Sequence, residues 1–257
     1  MKSILLAGGA ITPNDPLFDY RQYGTKGLIP INGKPMVQWV LDALCQSRAV
    51  DEIFIMGLDQ SAGLVSSRPL VFLPGQESLF ENIRYGTAVV HQASGKDETI
   101  ILASGDIPSL NPVMVDWLVG QGLHMDYDLV YSVVPRSVME GTFPGSNRSY
   151  IKFKDIDICG GDINLISTRL MQQATGLWEQ LAESRKSAMK QLSMVGFDTL
   201  LLMLFKVITL DQAAERICRK LKIRGKALPV PYAEMGMDVD KPHQLELITQ
   251  FMAGRAG

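Results

Sequence analysis

Met1-Lys2-Ser3-Ile4-Leu5-Leu6-Ala7-Gly8-Gly9 opens the chain, and its reading decides the fold. Residues 4–7 form an unbroken apolar run, the pattern of a strand buried on both faces. The run breaks at Gly8 and Gly9, far too soon for the apolar core of a signal peptide. A strand buried on both faces needs helices over both. Residues 36–44, 79–90 and 112–119 have apolar positions at helical spacing, the last with Asn111 as N-cap and Pro112 at the first helical position. Residues 52–56, 70–73, 99–103 and 129–134 are short apolar strands. Strands alternating with helices through short links imply right-handed crossovers and a mostly parallel sheet.

The pattern changes near residue 135. Residues 135–166 read as a meander with strands at 149–153 and 162–166. Residues 168–223 read as a nearly all-helical insertion. Residues 227–230 return to a strand, and 242–252 close with a helix. The most apolar stretch, 200–205, is bounded by Asp198 and Lys206. It falls well short of the ~20 residues a membrane span needs, so a buried helix is expected.

The chain has 257 residues, 46% of them hydrophobic, 20% charged, with a formal net charge of −2. That size suits a single domain, 1–257, with room for the insertion. The apolar content excludes disorder. A near-neutral balance argues against nucleic acid as a partner, because neutralising phosphates takes a basic surplus. The three cysteines, Cys45, Cys159 and Cys218, make neither a zinc pattern nor a disulfide framework, so the cytoplasm is the default location.

Two phosphate motifs fail. In Gly27-Leu28-Ile29-Pro30-Ile31-Asn32-Gly33-Lys34-Pro35 the glycines are one residue too far apart for a P-loop, and Pro35 stands where a Ser or Thr is required. No G-x-G-x-x-G follows any strand, and no G-x-S-x-G is present. His91, His124 and His243 have no spacing that suggests a triad or a metal. What is left is a strand ending in Leu6-Ala7-Gly8-Gly9, then a long loop with Arg21 and Lys26, then Gly33-Lys34-Pro35-Met36. Glycines there let the backbone bend and approach a ligand, and successive N–H groups can form an anion nest. The plainer alternative is a strand–helix link with solvated basic residues.

These residues resemble the opening signature of the GT-A-like, MobA-like NTP transferase family: a glycine loop, a basic loop with Lys26, and a G-K-P-M helix start. Where the family has a third glycine and an Arg, this chain has Ala10-Ile11-Thr12-Pro13 and a longer loop before Arg21. Further segments are similar in the right order. Gly75-Gln76-Glu77-Ser78-Leu79-Phe80-Glu81-Asn82 resembles the part that reads the base. Leu102-Ala103-Ser104-Gly105-Asp106-Ile107-Pro108 resembles the strand ending in an aspartate. Gly160-Gly161-Asp162-Ile163-Asn164 resembles the glycine pair on the acceptor side, and Gly236-Met237-Asp238-Val239-Asp240-Lys241-Pro242 the late metal-binding element. The resemblance covers residues 1–167 and 227–253. It implies a Rossmann-like, GT-A-type α/β fold with a mostly parallel sheet flanked by helices.

The implied activity moves a nucleoside monophosphate from an NTP, CTP or GTP, to a phosphorylated small-molecule or cofactor acceptor and releases pyrophosphate. Both the attacked phosphorus and the leaving group are crowded with negative oxygens, so positioning and charge neutralisation dominate. Mg²⁺ is the implied cofactor, held by one or two carboxylates. Asp106 and Asp240 are the expected ligands, with Asp238 second. The rival for Asp106 is a turn role before Pro108, and for Asp240 an N-cap role before Pro242. Asp126/Asp128 and Asp155/Asp157 read as solvated loop carboxylates. Lys26 and Arg21 are expected at the phosphates. Leu6, Ala7, Gly8, Gly9, Gln76, Ser78, Asn82 and Gly105 are expected around the nucleotide, although Ser78 also suits a helix cap.

Arg148 and Lys152, four apart on an expected strand and so facing one way, are expected to hold an acceptor phosphate or the α-phosphate, Lys152 as a catalytic cation and Arg148 with Gly160 and Gly161 on the acceptor side. The alternative is two solvated residues on an edge strand. The chain is expected to act as a monomer or homodimer, with no transmembrane segment. A GT-A glycosyltransferase using a nucleotide-sugar, or a non-catalytic nucleotide-binding regulator, stays open.

Overall fold

The structure, a computed structural model, describes residues 1–173 and 207–254. The expected apolar helix at 200–205 and most of the expected insertion lie outside the described residues. Strands β1 (Lys2–Leu6), β2 (Pro30–Ile31), β3 (Lys34–Pro35), β4 (Glu52–Met56), β5 (Leu70–Leu73) and β6 (Thr99–Ser104) come from the first half of the chain. They are followed by β7 (Leu129–Pro135), β8 (Ile151–Lys152), β9 (Asp157–Gly160), β10 (Ile163–Ser167) and β11 (Gly225–Pro229). The described helices are α1 (Met36–Gln46), α2 (Leu79–Ser94), α3 (Pro112–Gly122), α4 (Arg136–Thr142), α5 (Thr168–Gln173), α6 (Leu210–Leu221) and α7 (Pro242–Ala253).

The main sheet runs β5-β4-β1-β6-β10-β7-β9-β8, with β11 also paired to β7. Ladders β4–β5, β1–β4, β1–β6 and β7–β11 are parallel, whereas β10 and β9 run against their neighbours. The sheet is therefore mostly parallel in strand direction, as expected. β1 sits in the middle of the parallel part, which is why its side chains must be apolar on both sides. Ile4 packs with Phe54, Val90 and Leu102 on the face covered by α2. Its neighbour Leu5 packs with Val37, Leu41 and Val115 on the face covered by α1 and α3. Both are fully buried. This alternation of faces along one apolar run is the pleat itself.

The meander at 135–166 differs from expectation. Residues 136–142 form α4, because β7 ends at Pro135, which N-caps the helix. Only Ile151 and Lys152 form an edge strand, both exposed. Arg148 lies outside that strand, after Asn147 with φ 53°, so Arg148 and Lys152 do not share a strand face. The link before α1 is also more ordered than a plain loop. β2 and β3 pair antiparallel across Asn32 and Gly33, whose φ values of 50° and 80° make a tight hairpin turn. No described helix is long and apolar enough to cross a membrane.

Candidate active site

Three parallel strands end together. Ala7 N–H donates to Met56 O at 2.9 Å, Gly57 N–H to Leu73 O at 2.9 Å, and Gly105 N–H to Leu6 O at 2.8 Å. The chain bends away after each, and the bends meet. A Cβ on Gly8 would stand 2.7 Å from Gly57 Cα, and one on Gly57, at φ +89°, would stand 2.4 Å from Gly8 Cα. Only paired glycines permit that approach. Gly9 is different: a Cβ there meets nothing within 4 Å, so packing does not demand a glycine.

The bends enclose a cavity of about 460 Å³ at the carboxyl edge of the sheet, where open α/β sheets bind ligands. Leu6, Ala7, Gly8, Gly9, Lys26, Gln76, Ser78, Asn82 and Gly105 all line it, together with Asp106. Ser78 Oγ accepts the Glu81 N–H at 2.9 Å, capping α2, and Asn82 Oδ1 accepts the Gln76 N–H at 2.7 Å. Both side chains thus shape the 75–79 turn.

The charged end of the cavity joins distant parts of the chain. Lys26 is drawn to it by its own N–H, which donates to Gly9 O at 2.9 Å. Its Nζ donates to Asp240 Oδ1 at 2.8 Å. Asp240 arrives because Val239 N–H donates to Asp106 O at 2.9 Å. Burial pulls the Lys26 ammonium down, but Asp240, Asp15 and Asp106 outweigh it and raise its pKa. Asp106 is partly buried in the cavity wall. Burial raises its pKa and the Asp240 charge adds to that, against the Ser104 hydroxyl at 2.6 Å and Lys26. The N-cap of α7 is Lys241, not Asp240, so the cap alternative for Asp240 is excluded.

Among the described residues no three or more His, Cys, Asp or Glu converge as a metal cage. Two carboxylates whose negative charges oppose each other nevertheless fit Mg²⁺, which draws its other ligands from phosphates and water. The model of the MobA-like NTP transferase domain matches residues 4–195 of the chain.

The chain belongs to the MobA-like NTP transferase family.

It is a nucleotidyltransferase. A hypothetical transferase from Thermus thermophilus is similar in structure, with TM-score 0.82 and 30% identity over 95% of this chain and 98% of that one. CMP:2-keto-3-deoxy-manno-octonic acid synthetase, complexed with CTP, superposes with TM-score 0.59 at 17% identity over 99% and 100%. 4-Diphosphocytidyl-2C-methyl-D-erythritol synthase does so at TM-score 0.59 and 12% over 98% and 98%; these two share the fold. No curated protein matches the chain.

The remaining candidates of the MobA-like chain lie elsewhere. Arg21 is exposed, with Nη1 donating to Phe18 O at 3.3 Å and the guanidinium over the Phe18 ring, and it does not line the cavity. Lys152 does not line it either. Arg148 is largely buried and forms an ion pair with Asp238; its Nη2 lies 3.9 Å from Asp162. Gly160 and Gly161 lie under Tyr131 and Ser132, where a Cβ would clash at 2.8 and 2.7 Å. The reading of Asp128 as solvated is corrected. It is buried, with Arg169 at 2.6 Å and Arg224 at 3.3 Å, pinning the ends of β7 and β10. Asp155 is an exposed loop carboxylate as expected, and its Oδ1 also accepts the Leu210 N–H at 3.0 Å at the start of α6.

Sequence reading missed three participants. Ser104 stands two residues before Asp106 and bonds it. Asp162 adds a third carboxylate; burial and the charges of Asp106 and Asp240, opposed by Arg148, push it up to about 7. Asp15 reaches the cavity from the loop, its Oδ2 3.5 Å from Lys26 Nζ. For Ser104 the signal was its spacing from Asp106. For Asp15 no local pattern marked it.

Proposed function

We propose that this transferase moves a nucleoside monophosphate from CTP or GTP to a phosphorylated small-molecule or cofactor acceptor, releasing pyrophosphate with Mg²⁺ as cofactor. The observation that carries the reading is Lys26 and Asp106 in the wall of the glycine-lined cavity, with Asp240 bonded to Lys26 beside it. An acceptor oxygen attacks the α-phosphorus, a new P–O bond forms, and the α–β P–O bond breaks. Pyrophosphate leaves with the electron pair. Bound Mg²⁺ supplies charge neutralisation along the phosphates.

The chain's own groups do the rest. Asp106 and Asp240 hold the cation, while Asp238 neutralises Arg148. The Lys26 ammonium turns to the triphosphate and offsets charge on the leaving group. Gly8 and Gly9 let the backbone come close to the phosphates, and the 75–82 turn bounds the base end. Arg148, Gly160 and Gly161 form the acceptor side. Arg21 and Lys152 have no step in this reading. The whole chain acts as one transferase domain in the cytoplasm, as a monomer or homodimer.

The CTP-bound structural neighbour makes CTP the first donor to test. Pyrophosphate release is measured with each of the four NTPs, Mg²⁺ and a panel of phosphorylated acceptors. The reading expects release that needs one NTP and one acceptor together. Transfer from a nucleotide-sugar instead indicates the glycosyltransferase alternative, and tight NTP binding without turnover the regulatory one.

A further inference from the structure

A carboxylate at the phosphate end of an anion site weakens binding unless it does something else there. Asp15 is such a carboxylate. It lines the cavity, its side chain is 12% exposed, and its Oδ2 stands 3.5 Å from Lys26 Nζ. Its other oxygen, Oδ1, accepts the Leu17 N–H at 2.9 Å. Leu17 is fully buried in the main core, which fixes the carboxylate in place. The loop that carries it is closed on itself. Ala10 bridges Thr25, and Ile11 N–H donates to Gly24 O at 3.1 Å.

The same ammonium stands 2.8 Å from Asp240, whose side chain is 47% exposed. Lys26 is thus shared by a shielded carboxylate and an exposed one. Lysine is a flexible stem with a point charge. Left with Asp240 alone, it collapses onto the carboxylate that the cation needs.

We propose that Asp15 is a positioning residue. It offers the Lys26 ammonium a second partner at the triphosphate end of the cavity, so that Asp240 can be released to the divalent cation. The inference rests on the roles given to Lys26 and Asp240 above. It assigns a purpose to the long loop at 10–25. The Lys26–Asp240 pair is closed at 2.8 Å, and a carboxylate anchored outside the metal site, 3.5 Å from the same ammonium, gives Lys26 a partner to move to when the cation takes Asp240.

Asp15→Asn tests this, because the amide oxygen can still accept the Leu17 N–H while the charge is lost. Binding of CTP and of GTP is measured by calorimetry without acceptor, at a series of Mg²⁺ concentrations. The expected result is a Mg²⁺ midpoint for nucleotide binding raised about tenfold in Asp15→Asn, and restored towards wild type by Asp15→Glu. An unchanged or lower midpoint overturns the proposal, and tighter nucleotide binding would make Asp15 a source of repulsion only. Lys26→Met is measured alongside. Undiminished nucleotide binding there removes the Lys26 role itself. Weakened binding there, with an unmoved midpoint in Asp15→Asn, removes only the positioning role of Asp15.

Discussion

The two halves of the sheet build their parts of the site by different means. On the β5-β4-β1-β6 side, four parallel strands end in bends, and Gly8, Gly9 and Gly105 bring backbone into the cavity wall, with Gly57 packed against Gly8. On the β10-β7-β9 side the strands alternate in direction, and the site is made by charged side chains: Arg148, Asp162 and Asp238. A backbone wall tolerates almost any neighbour that is not bulky. A charged wall depends on every member having its partner. The parallel side is therefore sensitive to added volume, and the alternating side to lost charge.

The largest expected effect lies on the charged side. Arg148→Ala leaves Asp238 buried beside Asp162 without a counter-charge, and should cost about 3–5 kcal/mol in urea unfolding. Adding Asp238→Asn to the same chain should recover much of that. A loss below about 1 kcal/mol would erase the contrast between the halves.

Next comes the backbone side. Gly57→Ala puts a Cβ 2.4 Å from Gly8 Cα at a positive φ, and should cost about 3 kcal/mol. Gly9→Ala, which meets nothing, should stay within about 0.5 kcal/mol of wild type in stability. The same unfolding series separates the two glycines, and equal losses would show that the bend is not held by close approach.

A pH series sharpens the comparison further. Folded Asp162 is pushed up to about 7, so near pH 5 it keeps a proton that the unfolded chain has lost. Stability then falls as pH rises through this window, because the folded state binds more protons. In the cation-free protein, wild type should lose about 2 kcal/mol relative to Asp162→Asn between pH 5 and 7. Parallel curves for the two would place Asp162 in an ordinary, wetter setting. The smallest effect is that of Ser78→Ala, which removes the α2 cap and should cost about 1 kcal/mol by thermal or urea unfolding.

The same division explains what the sequence reveals. β1, β4 and β6 are legible because a strand buried on both faces must be apolar throughout, and Gly8 and Gly105 because tight bends beside a ligand need them. Asp106 is legible from its place at a strand end. The alternating side is harder to read. Residues 149–153 look like a strand of five, but only Ile151 and Lys152 pair, since Arg148 turns inward to Asp238 ninety positions away in the sequence. Asp15 and Asp128 look like loop carboxylates, because the lysine and arginines that hold them come from other elements. Such pairs are set by the fold, and no local spacing encodes them. Asp240 was marked by the downstream Pro242 and the resemblance; its bond to Lys26 spans 214 positions.

The central claim is that Asp106 holds the cation on which nucleotidyl transfer depends. It is tested most directly by the rate of NTP- and acceptor-dependent pyrophosphate release in Asp106→Ala against wild type, with urea unfolding of both as the control for folding. The account predicts a loss of about 10³-fold in a protein that unfolds no more easily than wild type. A variant that keeps its rate within tenfold would contradict it.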